Sequence, residues 1–215
     1  IYDDVQFDKR SWQQRNKIKT MTGSQWLSVS VDSKGKYNQK INEVLISQQS
    51  YDCKTHIRAL HLNYSKAPFF KDYSDDIFKC IEANTGLLVE LNISLILLIC
   101  QILGINTNFI RSGDLGIGGL KEARLADICK HLAGTQYISP QGSKAYLSES
   151  DAFCSGSVEL VYQVFDHPEY PQINGEFIPY MSILDMLFNC GSEKTLELIK
   201  VASSFELNKS NLLGG

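Results

Sequence analysis

TNFIRSGDLGIGGLKEARLADICKHLAGTQYIS, residues 107–139, reads as strand, loop, helix and strand. Residues 107–111 and 136–139 are short apolar runs, and residues 119–133 between them carry a helical pattern. A helix joining two short strands is the mark of a parallel crossover, because parallel strands cannot be linked by a tight turn. The chain is therefore expected to be an α/β protein with a mainly parallel or mixed sheet flanked by helices, in a single domain over residues 1–215. Ligands of such sheets collect beyond the carboxyl ends of the strands. Two polar loops fall there: Ser112, Gly113 and Asp114 after the first strand, and residues 139–143, with Ser139 and Gly142, after the second. Glycines and serines ahead of a helix can cradle phosphate on free backbone N–H groups. Neither loop matches a Gly-x-Gly-x-x-Gly or P-loop pattern, so each also reads as a simple turn with a helix cap.

Outward from this unit, helical spacing runs from Lys54 to Tyr64 and stops before Pro68. Further helices are expected over residues 72–83, 87–103, 182–189 and 193–201, with Gly104 ending that over 87–103, Ser182 capping that over 182–189 ahead of Asp185, and Gly191 breaking between the last two. Residues 1–7, 25–31, 42–48 and 157–165 read as strands, and the chain after residue 201 as a polar tail. Residues 166–177 carry two prolines and a glycine and suit a lid or rim. His56 and Tyr64, eight residues apart, share a helix face; a shared polar site and a satisfied half-buried histidine both fit.

Residues 1–20, IYDDVQFDKRSWQQRNKIKT, are the densest polar stretch. Asp3, Asp4 and Asp8 lie close to Lys9, Arg10, Arg15, Lys17 and Lys19, with Trp12 and Asn16 between. A charged surface arm explains the charges. A site wall explains the tryptophan as well, since Arg and Asn offer planar multidentate donors and carboxylates offer acceptors or a base.

A net charge of -3 excludes a general pull toward nucleic acid or anionic membrane. The most apolar window, residues 87–103, is interrupted by Glu90, Asn92 and Gln101 and falls short of a membrane span, so no membrane insertion is expected. The six cysteines form no Cys-x-x-Cys pair and no metal spacing with the four histidines, which suits reduced thiols in a cytoplasm and no metal or cofactor. Cys190 is the one to consider as a nucleophile, although no activating partner can be placed.

The run YDDVQFDKRSWQQRNKIK, followed by GSQWLSVSV, resembles the opening of the WbqC-like family, bacterial proteins encoded among genes for O-antigen and other surface polysaccharides. YSKAPFF (64–70), LNISL (91–95), IRSGDLGI (110–117), RLADICKHLAGTQYISPQGSKAYL (124–147), FDHPEYPQ (165–172) and FIPYMSILDMLFNCG (177–191) extend the resemblance along most of the chain. Members of the family ordinarily start with a further strand and a His-Gln-Pro turn, so an N-terminally truncated chain is expected here. The resemblance implies a polysaccharide pathway and, as partner, a nucleotide-sugar or related small molecule.

On that footing Lys9, Arg10 and Arg15, with Asn16, are candidate phosphate or carboxylate clamps, and Asp3 or Asp4 the candidate base, with His56 as a further catalytic candidate. Ser112, Asp114, Ser139, Gly142 and Tyr146 would line the strand-end crevice, and Tyr170 and Gln172 would close it. Acyl or aminoacyl transfer to an aminosugar competes with glycosyl transfer. The absence of an Asp-x-Asp metal signature leans toward the former. The alternative class is a non-catalytic binding or scaffold protein of the assembly system. A homo-oligomer or a pathway partner is compatible with either.

Overall fold

The computed structural model describes residues 1–148, 150–153 and 158–208. Cys154, the expected strand start at Ser157 and the final NLLGG lie outside the described residues. The protein is an α/β fold whose chain divides into two compact units.

The larger unit comprises Tyr2–Phe109 and His167–Leu198. Its sheet is an antiparallel hairpin of β1 (Arg15–Thr20) and β2 (Gly23–Ser28), turned at Met21 and Thr22 with Gly23 at φ 128°. Helices α1 (Cys53–Tyr64), α2 (Phe70–Ala83) and α3 (Leu88–Ile102) follow. α1 starts where the Asp52 carboxylate accepts the Lys54 N–H at 3.0 Å, filling one of the donors a helix start leaves open. α3 ends ahead of Gly104, whose φ of 67° is the left-handed turn that glycine adopts without strain. One core gathers Val29, Val44, Ile46, Leu88 and Leu91. A second is aromatic: Phe188 lies 5.4 Å from Tyr64 and 5.1 Å from Phe70 between ring centroids. Phe188 belongs to α6 (Ile183–Ala202), which is kinked at Gly191.

The smaller unit holds Ile1, Ile110–Asp166 and the chain from Ile199. Its sheet has the order β3 (Gln136–Pro140), β4 (Glu159–Phe165), β5 (Ser203–Leu207), with β3 and β4 parallel and β4 and β5 antiparallel. Leu160 and Tyr162, two apart on one face of β4, pack with Ala126 of α4 (Lys121–His131), Leu147 of α5 (Lys144–Leu147) and Phe153.

Several expectations are corrected. Residues 107–111 form no strand; 107–110 lie exposed, and the parallel partner of β3 is β4. A short apolar run does not by itself identify its partner. The Ser112 loop consequently follows no strand and forms a 3₁₀ turn, Ser112–Leu115, whose first N–H bonds the Ile1 carbonyl. Residues 1–7 make only a bridge from Gln6 to Lys40, and residues 42–48 only isolated bridges at Leu45 and Ile46. The dense polar stretch of residues 1–20 is itself β1 in its last six residues. Just ahead of β1 is a turn whose backbone N–H groups are taken by side chains, Asp8 by Gln13 and Arg10 by Gln14, so no ladder forms there. The supposed tail is β5 in residues 203–207.

Candidate functional site

Alternation along β1 puts Arg15, Lys17 and Lys19 on one face, and the register sets Trp26 opposite Lys17. The Arg15 guanidinium carbon stands 4.1 Å from the centroid of the Trp26 ring and the Lys17 ammonium 5.0 Å. Trp12, 63% exposed, leans on the same indole at 5.2 Å and 52°. Among the described residues neither cationic side chain makes a hydrogen bond or ion pair, and Arg15 Nε is buried without an acceptor. Two like charges on one ring repel, and an unpaired buried guanidinium N–H carries a desolvation cost. An anion bridging the two cations relieves the repulsion, while the aromatic pair offers a stacking surface.

Beyond Lys17 the strand enters a buried polar network. Asp185, fully buried on α6, accepts the Tyr64 hydroxyl at 2.7 Å, the Tyr170 hydroxyl at 2.8 Å and the Gln172 amide at 2.7 Å. Tyr64 in turn accepts the Lys19 backbone N–H at 2.8 Å, and the Lys17 carbonyl accepts Ser182 N–H at 2.8 Å. The open edge of β1 is thereby paired without a third strand. The Lys19 ammonium, 1% exposed as a residue, donates to the Gly175 and Glu176 carbonyls. Burial pushes its pKa down, against the pull of Asp185. Burial first, then the Asp185 charge, pushes both Tyr64 and Tyr170 up, so these hydroxyls remain donors.

The sequence-derived residues fall in both units. In the larger, Asp3 is buried, Asp4 half-buried and both engaged, while Lys9 and Arg10 stand exposed in the turn, Arg10 at φ 65°. Asn16 is exposed, its Oδ1 accepting Lys17 N–H. His56 has both ring nitrogens engaged, one with the Ser28 carbonyl and one with the Tyr51 hydroxyl, each at 3.1 Å, and does not join Tyr64. Tyr170 and Gln172 meet at Asp185 rather than at a rim. In the smaller unit Asp114 is exposed and Ser112 buried; Ser139 bonds Ser143 Oγ at 2.6 Å, and Gly142 and Tyr146 lie exposed nearby in sequence. Burial and then Asp185 raise the Cys190 thiol, which lowers its thiolate fraction. The sequence places Lys17 and Lys19 only in a charged stretch and Asp185 only beside a helix cap, and nothing in it singles out Trp26, although the alternation of cations at 15, 17 and 19 is visible. Among the described residues no group of three or more His, Cys, Asp or Glu could hold a metal, and no helix is long and apolar enough to cross a membrane.

These shifts set a pH window. Burial holds His56 below its usual 6.5, so its contribution to stability is full above about pH 6.5 and is lost as pH falls. Burial pushes Tyr51 up to about 12 and raises Tyr64 and Tyr170, so their contributions are full below about pH 10 and are lost above it. Burial also raises Tyr162 and the Cys80, Cys129 and Cys190 thiols, so the alkaline fall begins above about pH 9, the usual thiol value, and Lys19, lowered, works in the opposite sense near its usual 10.5. The melting temperature is expected to be level between these limits and to fall on both sides. Tyr170→Phe should flatten the alkaline fall, and an unchanged alkaline limb would refute the assignment.

The model of the WbqC-like protein family matches residues 1–197. The chain is similar to the uncharacterized protein Rv1507c of Mycobacterium tuberculosis (strain ATCC 25618 / H37Rv), 40% identical over 196 residues that cover 90% of this chain and 84% of that protein. No solved structure gives a significant match.

Proposed function

The chain belongs to the WbqC-like protein family, and from that premise we propose that it is a transferase of bacterial surface-polysaccharide biosynthesis acting on a nucleotide-activated sugar or aminosugar. The reaction is acyl or aminoacyl transfer to the sugar, or glycosyl transfer. The observation that carries the reading is the Arg15 and Lys17 pair on Trp26, with no carboxylate partner and an orphaned Arg15 Nε. In this reading the diphosphate bridges the two cations and the exposed face of Trp12 stacks a base or sugar ring. Arg10 supplies a second clamp from the adjoining turn. Asp4, less buried than Asp3, takes the role of base.

Calorimetry and thermal shift with UDP- and dTDP-linked aminosugars test this. One of them should stabilise the protein, as ligands that bind only the folded state do. Arg15→Ala should weaken it by about 10- to 100-fold, the worth of a charge-assisted hydrogen bond of roughly 1.5–3 kcal/mol. If no nucleotide-sugar binds, or Arg15→Ala binds as the wild type does, the reading fails. A non-catalytic scaffold is the second reading. It rests on α3, where the adjacent apolar residues Ile96 and Leu97 stay 43% and 42% exposed, and it predicts association without turnover.

A further inference from the structure

On the opposite face of the hairpin from Lys17 and Trp26, a cleft of about 330 Å³ opens beside the β1–β2 turn. Its polar lining is Thr20, Thr22, Gln25, Asn63, Lys66 and Asn174; Met21, Leu62 and Ile173 supply its apolar surface. We infer that this cleft is a second binding site, for a monosaccharide-sized, hydroxyl-rich acid bearing one carboxylate or phosphate.

Charge sets the anionic part of the ligand. Lys66 is the one charged residue in the lining, and it makes no ion pair among the described residues. A lone ammonium with no carboxylate beside it favours an anion. The amides set the hydroxyl-rich part. Asn63 spends its Nδ2 on the Ala59 carbonyl and Asn174 its Nδ2 on the Asn63 carbonyl, which leaves both Oδ1 atoms as acceptors for ligand hydroxyls. Gln25 keeps its whole amide, donors included. Size sets the scale, since the volume lies at the small end of ligand sites, about 300–1,000 Å³.

The walls are also held in place. Thr20, Asn63 and Ile173 each follow or precede by one residue a member of the Asp185 network: Lys19, Tyr64 and Gln172. Asn174, at φ 66°, is fixed in the left-handed region by its bond to Asn63. Lys19 clamps the next two carbonyls, those of Gly175 and Glu176. A rigid shell of this kind lowers the ordering cost of binding.

The probes are glucuronate, glucose 1-phosphate, glucose and inorganic phosphate, followed by amide NMR on the wild type, Lys66→Ala and Lys66→Arg. At least one sugar acid should move the amides of residues 20–25, 63, 66, 173 and 174 and leave those of Arg15 and Lys17 in place. Lys66→Ala should weaken it about tenfold, the loss of one charge-assisted contact, and Lys66→Arg should restore most of the affinity. Whichever of the two acids binds more tightly names the anion as carboxylate or phosphate. Glucose binding as well as the acids, inorganic phosphate binding as well as glucose 1-phosphate, indifference to Lys66→Ala, or no binding by either acid would each overturn the inference. Because the hairpin platform is tested by Arg15→Ala and nucleotide-sugars, failure of one site leaves the other standing.

Discussion

Asp185→Ala is expected to destabilise the protein by about 3–5 kcal/mol, the usual cost of removing one partner from a buried, charge-assisted network. The carboxylate receives three donors inside a site that water does not reach: Tyr64, Tyr170 and the Gln172 amide. Truncation strands all three and leaves a cavity, and each buried donor left unsatisfied costs about 1–3 kcal/mol. The costs overlap, because Gln172 also reaches the Tyr170 oxygen at 3.3 Å and the Ile178 carbonyl at 3.0 Å. Tyr170→Phe removes one donor and should cost about 1 kcal/mol. Tyr64→Phe should cost more, because Tyr64 also accepts the Lys19 N–H, which would then be buried without a partner. Urea unfolding of the three variants measures the order. A change in midpoint for Asp185→Ala equivalent to less than about 1 kcal/mol would show that the network is not what holds β1. Since whole domains are stable by only about 5–15 kcal/mol, the predicted loss is a large share of the total. It should reach the proposed site too: the network grips the Lys19 N–H, and Ser182 beside it grips the Lys17 carbonyl, on the strand that carries Arg15.

The same residue shows where the sequence stops being informative. Asp185 sits three positions after Ser182, and local rules make it the acidic half of a cap. Only the serine half holds: Ser182 Oγ receives Leu184 N–H, while Ser182 N–H donates to the Lys17 carbonyl rather than to Asp185. The Asp185 carboxylate answers to Tyr64, 121 residues earlier in the chain. No periodicity carries such a partner. The helices were legible because their apolar stripes repeat every 3.6 residues, and α1, α2 and α3 lie within two residues of their expected ends. β1 was not, because Ile18 is the one apolar residue in RNKIKT and charged side chains mimic a solvated loop. Arg15 could be named as a clamp from its chemistry alone. Trp26 could not be joined to it, since their contact depends on the register that sets Lys17 against Trp26. The parallel sheet was foreseen in kind, with the wrong partner strand, because strand pairing is decided by tertiary burial.

Gly191→Ala is expected to cost about 2–4 kcal/mol, from two terms that act together. At φ 77° and ψ 171° the backbone occupies a region that is essentially closed to any residue with a Cβ. The Cβ would also stand 2.9 Å from Phe69 Cε1, 3.0 Å from Cδ1 and 3.2 Å from Cζ, closer than ordinary contact. The Phe69 backbone cannot retreat freely, since its N–H is bonded to the Phe188 carbonyl at 3.0 Å, one turn before the glycine, so the ring would have to leave its rotamer. Either the ring or the kink must give. A straightened α6 would break the bond from Ser192 N–H to the Tyr73 hydroxyl, now 2.9 Å. It would also turn residues 183–190, and Asp185 with them, against the segment that follows. Loss at Gly191 should therefore weaken the Asp185 network, and the pair Gly191→Ala and Asp185→Ala should cost less together than the sum of the two. Gly142→Ala is the control: nothing lies within 4 Å of its Cβ position and its φ is not in the left-handed region, so the change should be neutral or stabilise by up to about 1 kcal/mol. Chemical unfolding of the two alanine variants decides the matter. If Gly191→Ala unfolds at the same midpoint as Gly142→Ala, the kink is not set by glycine; if the double variant is strictly additive, the kink and the carboxylate act independently.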